Sequence, residues 1–333
     1  MSMPETHPHA PRLRLAGDLA LLAIAAIWGS TFVAVKDATA TFSVLAFLLI
    51  RFSVAALALA PFALLPMIRT RRWPRACDWR WGIGAGLLFC GGYVFQTFAL
   101  RLIDSGRAGF LTGLYVIMVP VLALVLLRYP LTPRVLLATI LALIGIVLLG
   151  YAPGSDLLGD GLALLCALCY AGQILVVDRI PGGADWRFIA LAQAGVVVAV
   201  CGALLPVLAS VYGCEGGLCG ALAPFAEAIP DAIPAVALGA AVYTGLLATA
   251  LALPVQIWAQ RTIPPGDAAL IFAMEAPFAV VFGVIFLAEI VMPVAALGCG
   301  LIFAGMLITT LGKNEKRPAP AEPPAPAPAP AAD

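Results

Sequence analysis

The sequence predicts an all-α integral membrane protein with ten transmembrane helices, arranged as two inverted five-helix repeats. Three observations predict this fold: the composition, the recurrence of long apolar segments, and an internal sequence repeat. Of the 333 residues, 62% are hydrophobic and 11% are charged, whereas soluble domains are about 45–50% apolar and about 25% charged. A soluble domain of this size could not bury so much apolar surface, so the expected solvent is the lipid bilayer.

Apolar segments long enough to span a bilayer recur along the chain. The first resembles a signal peptide at its start, but it stays apolar as far as Val35, which predicts an uncleaved helix. An N-terminal arm, 1–17, precedes it, and the Pro- and Ala-rich tail, 312–333, is expected to be extended and disordered. The predicted spans are 18–36, 44–67, 82–102, 108–127, 134–151, 159–178, 188–210, 236–258, 268–288 and 292–311.

The distribution of Lys and Arg predicts that both termini are cytoplasmic. Of the 19 basic residues, Lys36, Arg101 and Arg107 would then lie outside, Arg51 lies within a helix, and the remaining 15 lie in inner segments. Basic residues concentrate in the cytoplasmic loops of membrane proteins. We therefore expect a bacterial inner-membrane protein with both ends inside.

An internal repeat divides the chain into two halves, 18–151 and 159–311. Gly17-Asp18 recurs 142 positions later as Gly159-Asp160, and the register continues without a gap as far as Lys36. Five helices separate the two copies, and an odd number inverts the second copy in the membrane. Inverted repeats of this kind are typical of secondary transporters. The same register pairs Trp28 with Tyr170, Thr31 with Gln173, and Arg51 with Gln193.

Two charged residues within predicted helices are the first candidates for a substrate site, because a charge inside the membrane is costly. Glu275 could bind a substrate amine or cycle a proton, or it could be a hydrogen-bonded structural residue at a helix kink. Arg51 could hold a substrate carboxylate, or it could pair with Glu275 or with helix-end carbonyls.

The repeat-equivalent positions supply further candidates. Trp28 and Tyr170 could line an apolar slot or could serve only in packing. Thr31 and Gln173 lie one turn further along, and a buried glutamine needs hydrogen-bond partners. Further polar candidates within predicted helices are Tyr93, Gln96, Tyr115, Tyr243 and Gln256, of which Gln96, Tyr115 and Tyr243 complete the predicted site.

Other chemistry is not indicated. His7 and His9 both lie in the N-terminal arm, and no Walker motif is present, so we expect no metal, no cofactor and no nucleic-acid partner. A channel-like facilitator and, with less support, a membrane-embedded enzyme are the alternatives to a transporter. Cys214 and Cys219 lie in the loop 211–235 and could form a disulfide if that loop faces an oxidising compartment.

Several segments together resemble EamA-type transporters of the drug/metabolite transporter superfamily. The resemblance covers 18–311 and implies ten helices, cytoplasmic termini, and export or exchange of a small metabolite, often an amino acid. Two departures are the alanine between Glu275 and Pro277 and the length of the loop 211–235. The matching segments are Trp28 to Lys36, Arg51-Phe52, Ala108 to Thr112 with Val119-Pro120, Leu143 to Ile146, and Ala268 to Glu275 with Phe286 to Glu289.

The sequence thus predicts a secondary transporter that works by alternating access on a small molecule, with an amino acid or a related zwitterion favoured by Arg51 and Glu275. Whether it is a monomer or a homodimer stays open at this point.

Overall fold

The computed structural model describes residues 10–40, 42–71, 73–103, 105–150, 156–212, 222–287 and 291–311. The predicted all-α fold is confirmed, and all ten predicted spans are helical. We number them α1 to α10: α1 is Ala10–Ala40, α2 Val44–Thr70, α3 Ala76–Leu102, α4 Ser105–Gly113 with Tyr115–Leu127, α5 Pro133–Gly150, α6 Leu157–Asp178, α7 Trp186–Val211, α8 Ala235–Ala259, α9 Pro265–Phe272 with Glu275–Leu287, and α10 Pro293–Leu311.

Within this described part, nine helices have the length and hydropathy needed to cross a membrane, and α5 is a shorter apolar helix. The largest differences from the predicted spans are at the starts of α1 and α3, which begin at Ala10 and Ala76. At α3 the carboxylate of Asp78 accepts a hydrogen bond from the Arg75 amide at 2.8 Å, which caps the helix before the apolar segment begins.

Helix packing follows the two repeats. The equivalent helices α2 and α7, α4 and α9, and α5 and α10 each contact one another. The other contacts come in matching pairs. Helix α1 contacts α9, and its equivalent α6 contacts α4. Helix α3 contacts α6 and α7, and its equivalent α8 contacts α1 and α2. The bundle is therefore built from two copies of one five-helix unit around a pseudo-two-fold axis.

The contact between α5 and α10 shows the same symmetry. A Cβ added at Gly145 of α5 would lie 2.5 Å from the Gly298 carbonyl of α10, and one at Gly305 would lie 2.7 Å from the Ala138 carbonyl. Gly145 and Gly305 are 160 positions apart, and so are Ala138 and Gly298. The repeat offset is therefore 160 here and 142 in α1 and α6, because the second repeat contains 18 extra residues, most of them between α7 and α8. Small residues permit this close backbone approach.

Two equivalent helices, α4 and α9, are interrupted near their midpoints. In α9 the interruption at Ala273 and Met274 lies before Pro277, whose ring excludes the carbonyl four residues earlier from a regular helix. In α4 the interruption is at Leu114. The second segments begin at Tyr115 and Glu275, which are again 160 positions apart.

We call the end of the bundle where α1 begins the basic face and the other end the opposite face. Arg14, Arg134 and Arg179 lie at helix ends on the basic face. The outer surface between the two faces carries exposed apolar side chains such as Leu57, Val125 and Ile285, as expected for contact with lipid.

Candidate functional site

A cavity of about 780 Å³, including its open part, lies between the two repeats. It extends from Phe272 and Glu275 towards the opposite face, where Val35 and Leu100 line it. Eight of the nine predicted substrate-site residues line this cavity: Trp28, Thr31, Arg51, Gln96, Tyr115, Tyr170, Gln173 and Glu275.

The lining follows the repeat. Besides the predicted pairs at an offset of 142, three pairs of lining residues are related by the offset of 160 positions. The cavity therefore lies on the pseudo-two-fold axis, where a transporter with inverted repeats has its substrate site. The five pairs are Trp28 and Tyr170, Thr31 and Gln173, Gln96 and Gln256, Thr112 and Phe272, and Tyr115 and Glu275.

Arg51 is a buried cation held by neutral groups. It is 2% exposed, and it donates a hydrogen bond of 3.0 Å to the Tyr93 hydroxyl. Its Nε and Nη2 atoms both lie 3.4 Å from the Thr249 hydroxyl. The guanidinium also lies 4.5 Å from the centroid of the Tyr93 ring. These contacts fix the group, and within the described part of the chain no anion contacts it directly.

Glu275 supplies the opposite charge in the same cavity. It begins the second segment of α9, where the positive end of the helix dipole stabilises a carboxylate. Within the described residues its carboxylate forms no hydrogen bond and no ion pair, although Arg51 acts on it electrostatically. One cation and one anion thus line one space without touching each other.

The polar groups of the aromatic side chains Trp28 and Tyr170 form hydrogen bonds within the protein. The Trp28 indole N–H donates to the Ala248 carbonyl at 2.9 Å, and the Tyr170 hydroxyl donates to the Gln96 side-chain carbonyl at 3.2 Å. The Trp28 ring lies 5.1 Å from that of Phe272. The two predicted aromatic residues therefore present ring surface to the cavity, as an apolar slot requires.

A chain of buried amides links three helices beside the cavity. Gln256 donates to Gln173 at 3.0 Å, and Gln173 donates to Gln193 at 3.1 Å. Gln256 also donates to Gln260 at 3.0 Å. The chain joins α8, α6 and α7 and gives each glutamine at least one partner, while Gln193 Nε2 and Gln256 Oε1 have none within the described residues.

Helix α8 contains a π-helical turn, Leu246–Leu251, that breaks the repeat symmetry. Just before the turn, a Cβ added at Gly245 would lie 3.1 Å from Val54 Cβ, in the way that one added at Gly86 of α3 would lie 3.0 Å from Val196 Cβ. Val54 and Val196 are 142 positions apart and occupy equivalent places in the two repeats, so the glycines that pack on them are equivalent too. Gly86 and Gly245 are, however, 159 positions apart. Since the offset beyond the turn is 160, the π turn accommodates one inserted residue.

The turn positions two of the cavity residues. The carbonyl of Ala248 accepts the Trp28 hydrogen bond, and the hydroxyl of Thr249 accepts from Arg51. Thr249 in turn donates to the Thr244 carbonyl, five residues earlier, at 3.2 Å. Both acceptors belong to the same six-residue turn.

Two ion-pair clusters lie at the two ends of the bundle, one on each face. On the opposite face, Arg107 of α4 forms two bonds of 2.6 Å to the carboxylate of Asp160 of α6. On the basic face, Arg14 of α1 lies 2.6 Å from Asp267 of α9 and 3.8 Å from Asp18. A second cavity of about 730 Å³, lined by Arg14 and Asp267 among others, lies beside the latter cluster.

The clusters occupy equivalent positions. Asp18 and Asp160 are 142 positions apart, and Arg107 and Asp267 are 160 apart. One face thus joins the starts of α6 and α4, and the other face joins the starts of α1 and α9. Each cluster ties together the same two elements of the repeat.

The long connection between α7 and α8 also reaches the bundle. Glu227 is 1% exposed and accepts hydrogen bonds of 2.7 Å from the Val44 and Leu45 amides at the start of α2. It accepts a further bond of 2.8 Å from Ser43 and pairs with Arg101 of α3 at 2.7 Å. This carboxylate therefore caps α2 and ties it to α3 on the opposite face.

The predictions for Tyr243 and for the Cys214–Cys219 pair stand apart from those for the eight residues that line the cavity. Tyr243 was expected in the site, but it is not among the residues that line the cavity. Its side chain is 37% exposed and its hydroxyl lies 2.6 Å from the Ser30 hydroxyl, because that part of α8 turns its side chain outwards. Cys214 and Cys219 lie outside the described residues.

Other residues in or beside the cavity were not assigned to the predicted site. Tyr93 and Gln256 were further candidates from the sequence, and both line the cavity. Thr112 and Phe272 could have been found from the equivalence of α4 and α9 at an offset of 160. Nothing in the sequence marks Thr249, since its contact with Arg51 depends on the π turn.

Comparisons with known proteins agree with this architecture. A model of the EamA-like transporter family matches residues 15–151 and again residues 157–311. An uncharacterized transporter of Archaeoglobus fulgidus is 30% identical over 300 residues, which are 90% of this chain and 87% of that protein. A solved crystal structure has the same fold, with a TM-score of 0.67 and 19% identity over 89% of this chain and 98% of its own. With both repeats matched and almost the full length shared with a transporter, the chain belongs to the EamA-like transporter family.

Proposed function

We propose that this transporter exports or exchanges a small zwitterionic metabolite, such as an amino acid, across a bacterial inner membrane. The observation that carries the proposal is the separation of Arg51 and Glu275 within one cavity on the repeat axis. Opposite charges that share an apolar enclosure without pairing suit a ligand that carries both charges itself.

The ligand would be bound at both ends and along its side chain. The guanidinium of Arg51 would donate hydrogen bonds to the ligand carboxylate, since Arg binds carboxylates with directed N–H donors. The carboxylate of Glu275 would face the ammonium group. The rings of Trp28, Tyr115 and Tyr170 would contact the apolar part of the ligand, and the amides beside them would bind polar substituents.

Alternating access would proceed by opening one ion-pair cluster while the other stays closed. The support is the equivalence of the two clusters: the Arg107 to Asp160 pair and the Arg14 to Asp267 pair join corresponding helix starts. An exchange of conformation between the two repeats would therefore exchange the closed face. The positive-inside distribution of Lys and Arg supports a cytoplasmic basic face.

Energy for net transport would come from gradients, because the sequence has no Walker motif. Glu275 is the residue best placed to couple transport to protons. It is a carboxylate within the membrane, in the cavity, and without a protein partner among the described residues.

Counterflow in proteoliposomes tests the proposal. Vesicles are loaded with one unlabelled amino acid at a time, and uptake of the same labelled amino acid is followed at low external concentration. A carrier shows transient accumulation above equilibrium that saturates with concentration, and we expect this for at least one amino acid with an apolar side chain. A channel-like facilitator would show no accumulation, and a panel without any response would contradict the assigned substrate class.

A further inference from the structure

A second built region lies on the basic face, away from the central cavity. It is a pocket of about 1170 Å³, including its open part, between the end of α2, the start of α3, the connection of α6 to α7, and the end of α8. Its cationic residues are Arg75, Arg187 and Arg261.

Arg187 is the donor that this pocket leaves unused. Its guanidinium lies 5.4 Å from the Trp186 ring centroid and 5.5 Å from that of Phe62. It makes no side-chain hydrogen bond to any residue in the described part of the chain. Aromatic contacts fix the plane of the guanidinium while its N–H groups stay available, a geometry that suits a phosphate.

The two carboxylates in the pocket are already engaged by backbone amides. Asp78 accepts from the Arg75 amide at 2.8 Å and from the Asp185 amide at 3.1 Å. Asp185 accepts from the Arg187 amide at 3.0 Å and caps α7. Arg75 also pairs with Asp78 at 3.7 Å and donates to the Gly183 carbonyl. Arg75 and the carboxylates thus build the pocket, and Arg187 faces the ligand.

An apolar groove of about 810 Å³, including its open part, adjoins the pocket at Trp186, which lines both. The groove runs between α2 and α8 towards the middle of the membrane. Phe62 is 47% exposed and Leu251 is 48% exposed. The groove is lined by Ala58, Leu59, Phe62, Trp186, Ala250, Leu251, Pro254, Val255 and Trp258.

We propose that the pocket and the groove together bind one anionic phospholipid, with its phosphate at Arg187 and one acyl chain in the groove. A cation at the membrane interface, tryptophans beside it and an apolar channel leading into the bilayer match the three parts of such a lipid. The far end of the groove is formed by Ala250 and Leu251 of the π turn. A bound acyl chain would therefore contact the turn that positions Trp28 and Arg51. The lipid site stands whatever the transported substrate is.

Thermal unfolding of the purified protein in detergent tests the headgroup site, with added phosphatidylglycerol compared with phosphatidylcholine. A ligand that binds only the folded state raises the melting temperature. We expect phosphatidylglycerol to raise that of the wild type by several degrees and to lose most of this effect with Arg187→Gln. Arg128→Gln, the matched control, removes an exposed arginine from the same face and is expected to behave like the wild type.

Arg187→Lys keeps the charge but lacks the planar fork, and we expect part of the shift to remain. If Arg187→Gln lowers the yield of folded protein, the lysine variant decides the question alone. A full phosphatidylglycerol shift in either Arg187 variant would overturn the proposal.

The groove is tested with Ala58→Trp, which would fill it, against Leu57→Trp, which adds the same side chain at an adjacent position that is 74% exposed. The expected result is loss of the phosphatidylglycerol shift in the first variant only. Glycerol phosphate, the soluble headgroup, is expected to give no shift at the same concentration. An equal shift from glycerol phosphate, or an unchanged shift in Ala58→Trp, would show a phosphate site without an acyl chain and would contradict the proposed lipid.

Discussion

Tyr115 and Glu275 are equivalent residues of the two repeats, and each begins the second segment of an interrupted helix at the central cavity. The same structural device thus places a phenol in one half of the cavity and a carboxylate in the other. A symmetric fold thus produces a cavity with a chemical direction, because the equivalent positions carry different side chains. Arg51 and Gln193 extend this asymmetry: one half has the cation and the other half has a neutral amide.

Glu275→Gln keeps the size of the side chain and removes its charge. We expect this variant to retain measurable exchange of substrate but to lose substrate movement driven by a pH gradient, since the proposed proton-cycling group is absent. The measurement is uptake into proteoliposomes with and without an imposed pH difference. If the pH gradient still drives transport at the full rate, Glu275 is not the coupling residue.

Thr249→Val removes the hydroxyl that accepts from Arg51 while keeping the shape of the side chain. A hydrogen bond to a charged group contributes about 1.5–3 kcal/mol, and the long contacts here favour the lower end. We therefore expect a loss of about 1.5 kcal/mol in folding stability, seen as a lower melting temperature, together with weaker substrate binding, because Arg51 loses one of the groups that position it. Thr244→Val, whose hydroxyl bonds the Ala240 carbonyl, is the matched control. Equal losses in both variants would point to a general effect on α8.

Deletion of Ala250 should convert the π turn into a regular α-helix, since the turn accommodates one inserted residue. We expect the protein to fold, because the other repeat has the uninterrupted form of this helix. Substrate binding should be lost, since the Ala248 and Thr249 acceptors would rotate away from Trp28 and Arg51. Normal binding by a folded deletion variant would show that the turn has no part in positioning the site.

The pair of Arg107 and Asp160 can be tested by exchange of its charges. Each single variant, Arg107→Asp or Asp160→Arg, places like charges in contact and should reduce counterflow. The double variant should recover much of it, with a coupling energy of about 0.5–3 kcal/mol, the range for directly interacting residues. Additive losses in the double variant would mean that the pair does not control closure of this face.

Glu227→Gln tests the role of the connection between α7 and α8. A glutamine amide cannot accept all the hydrogen bonds that the carboxylate accepts from Ser43, Val44, Leu45 and Arg101. We expect a loss of about 1–3 kcal/mol in folding stability, seen as a lower melting temperature. Asp231→Asn changes an exposed carboxylate of the same connection and should have little effect.

The sequence allowed prediction of the ten helices and most of the cavity for physical reasons. Lipid requires long apolar helices, and a charge such as Arg51 or Glu275 within them needs a reason. The sequence repeat between α1 and α6, which continues without a gap, identified Trp28 and Tyr170 as an equivalent pair. Later equivalences were hidden by the change of offset between α7 and α8, so Phe272 was not predicted from Thr112.

Other features depend on packing that has no local signature. The π turn has the sequence of an ordinary apolar helix, and its inserted residue is visible only when the contacts of Gly86 and Gly245 are compared. Tyr243 was assigned to the site because it is a polar aromatic residue within a helix, but composition does not fix which face of the helix it occupies. The burial of Glu227 requires the folded connection and both helix ends that it joins.

The central claim is that Arg51 and Glu275 bind the two charges of one zwitterion. The most direct measurement compares the affinity of purified protein for a transported amino acid, its amine analogue without the carboxylate, and its acid analogue without the amine. We predict that Arg51→Gln abolishes the preference for the amino acid over the amine, that Glu275→Gln abolishes its preference over the acid, and that Tyr243→Phe, outside the cavity, preserves both. If both preferences persist in the Arg51 and Glu275 variants, these residues do not recognise the substrate charges and the account is wrong.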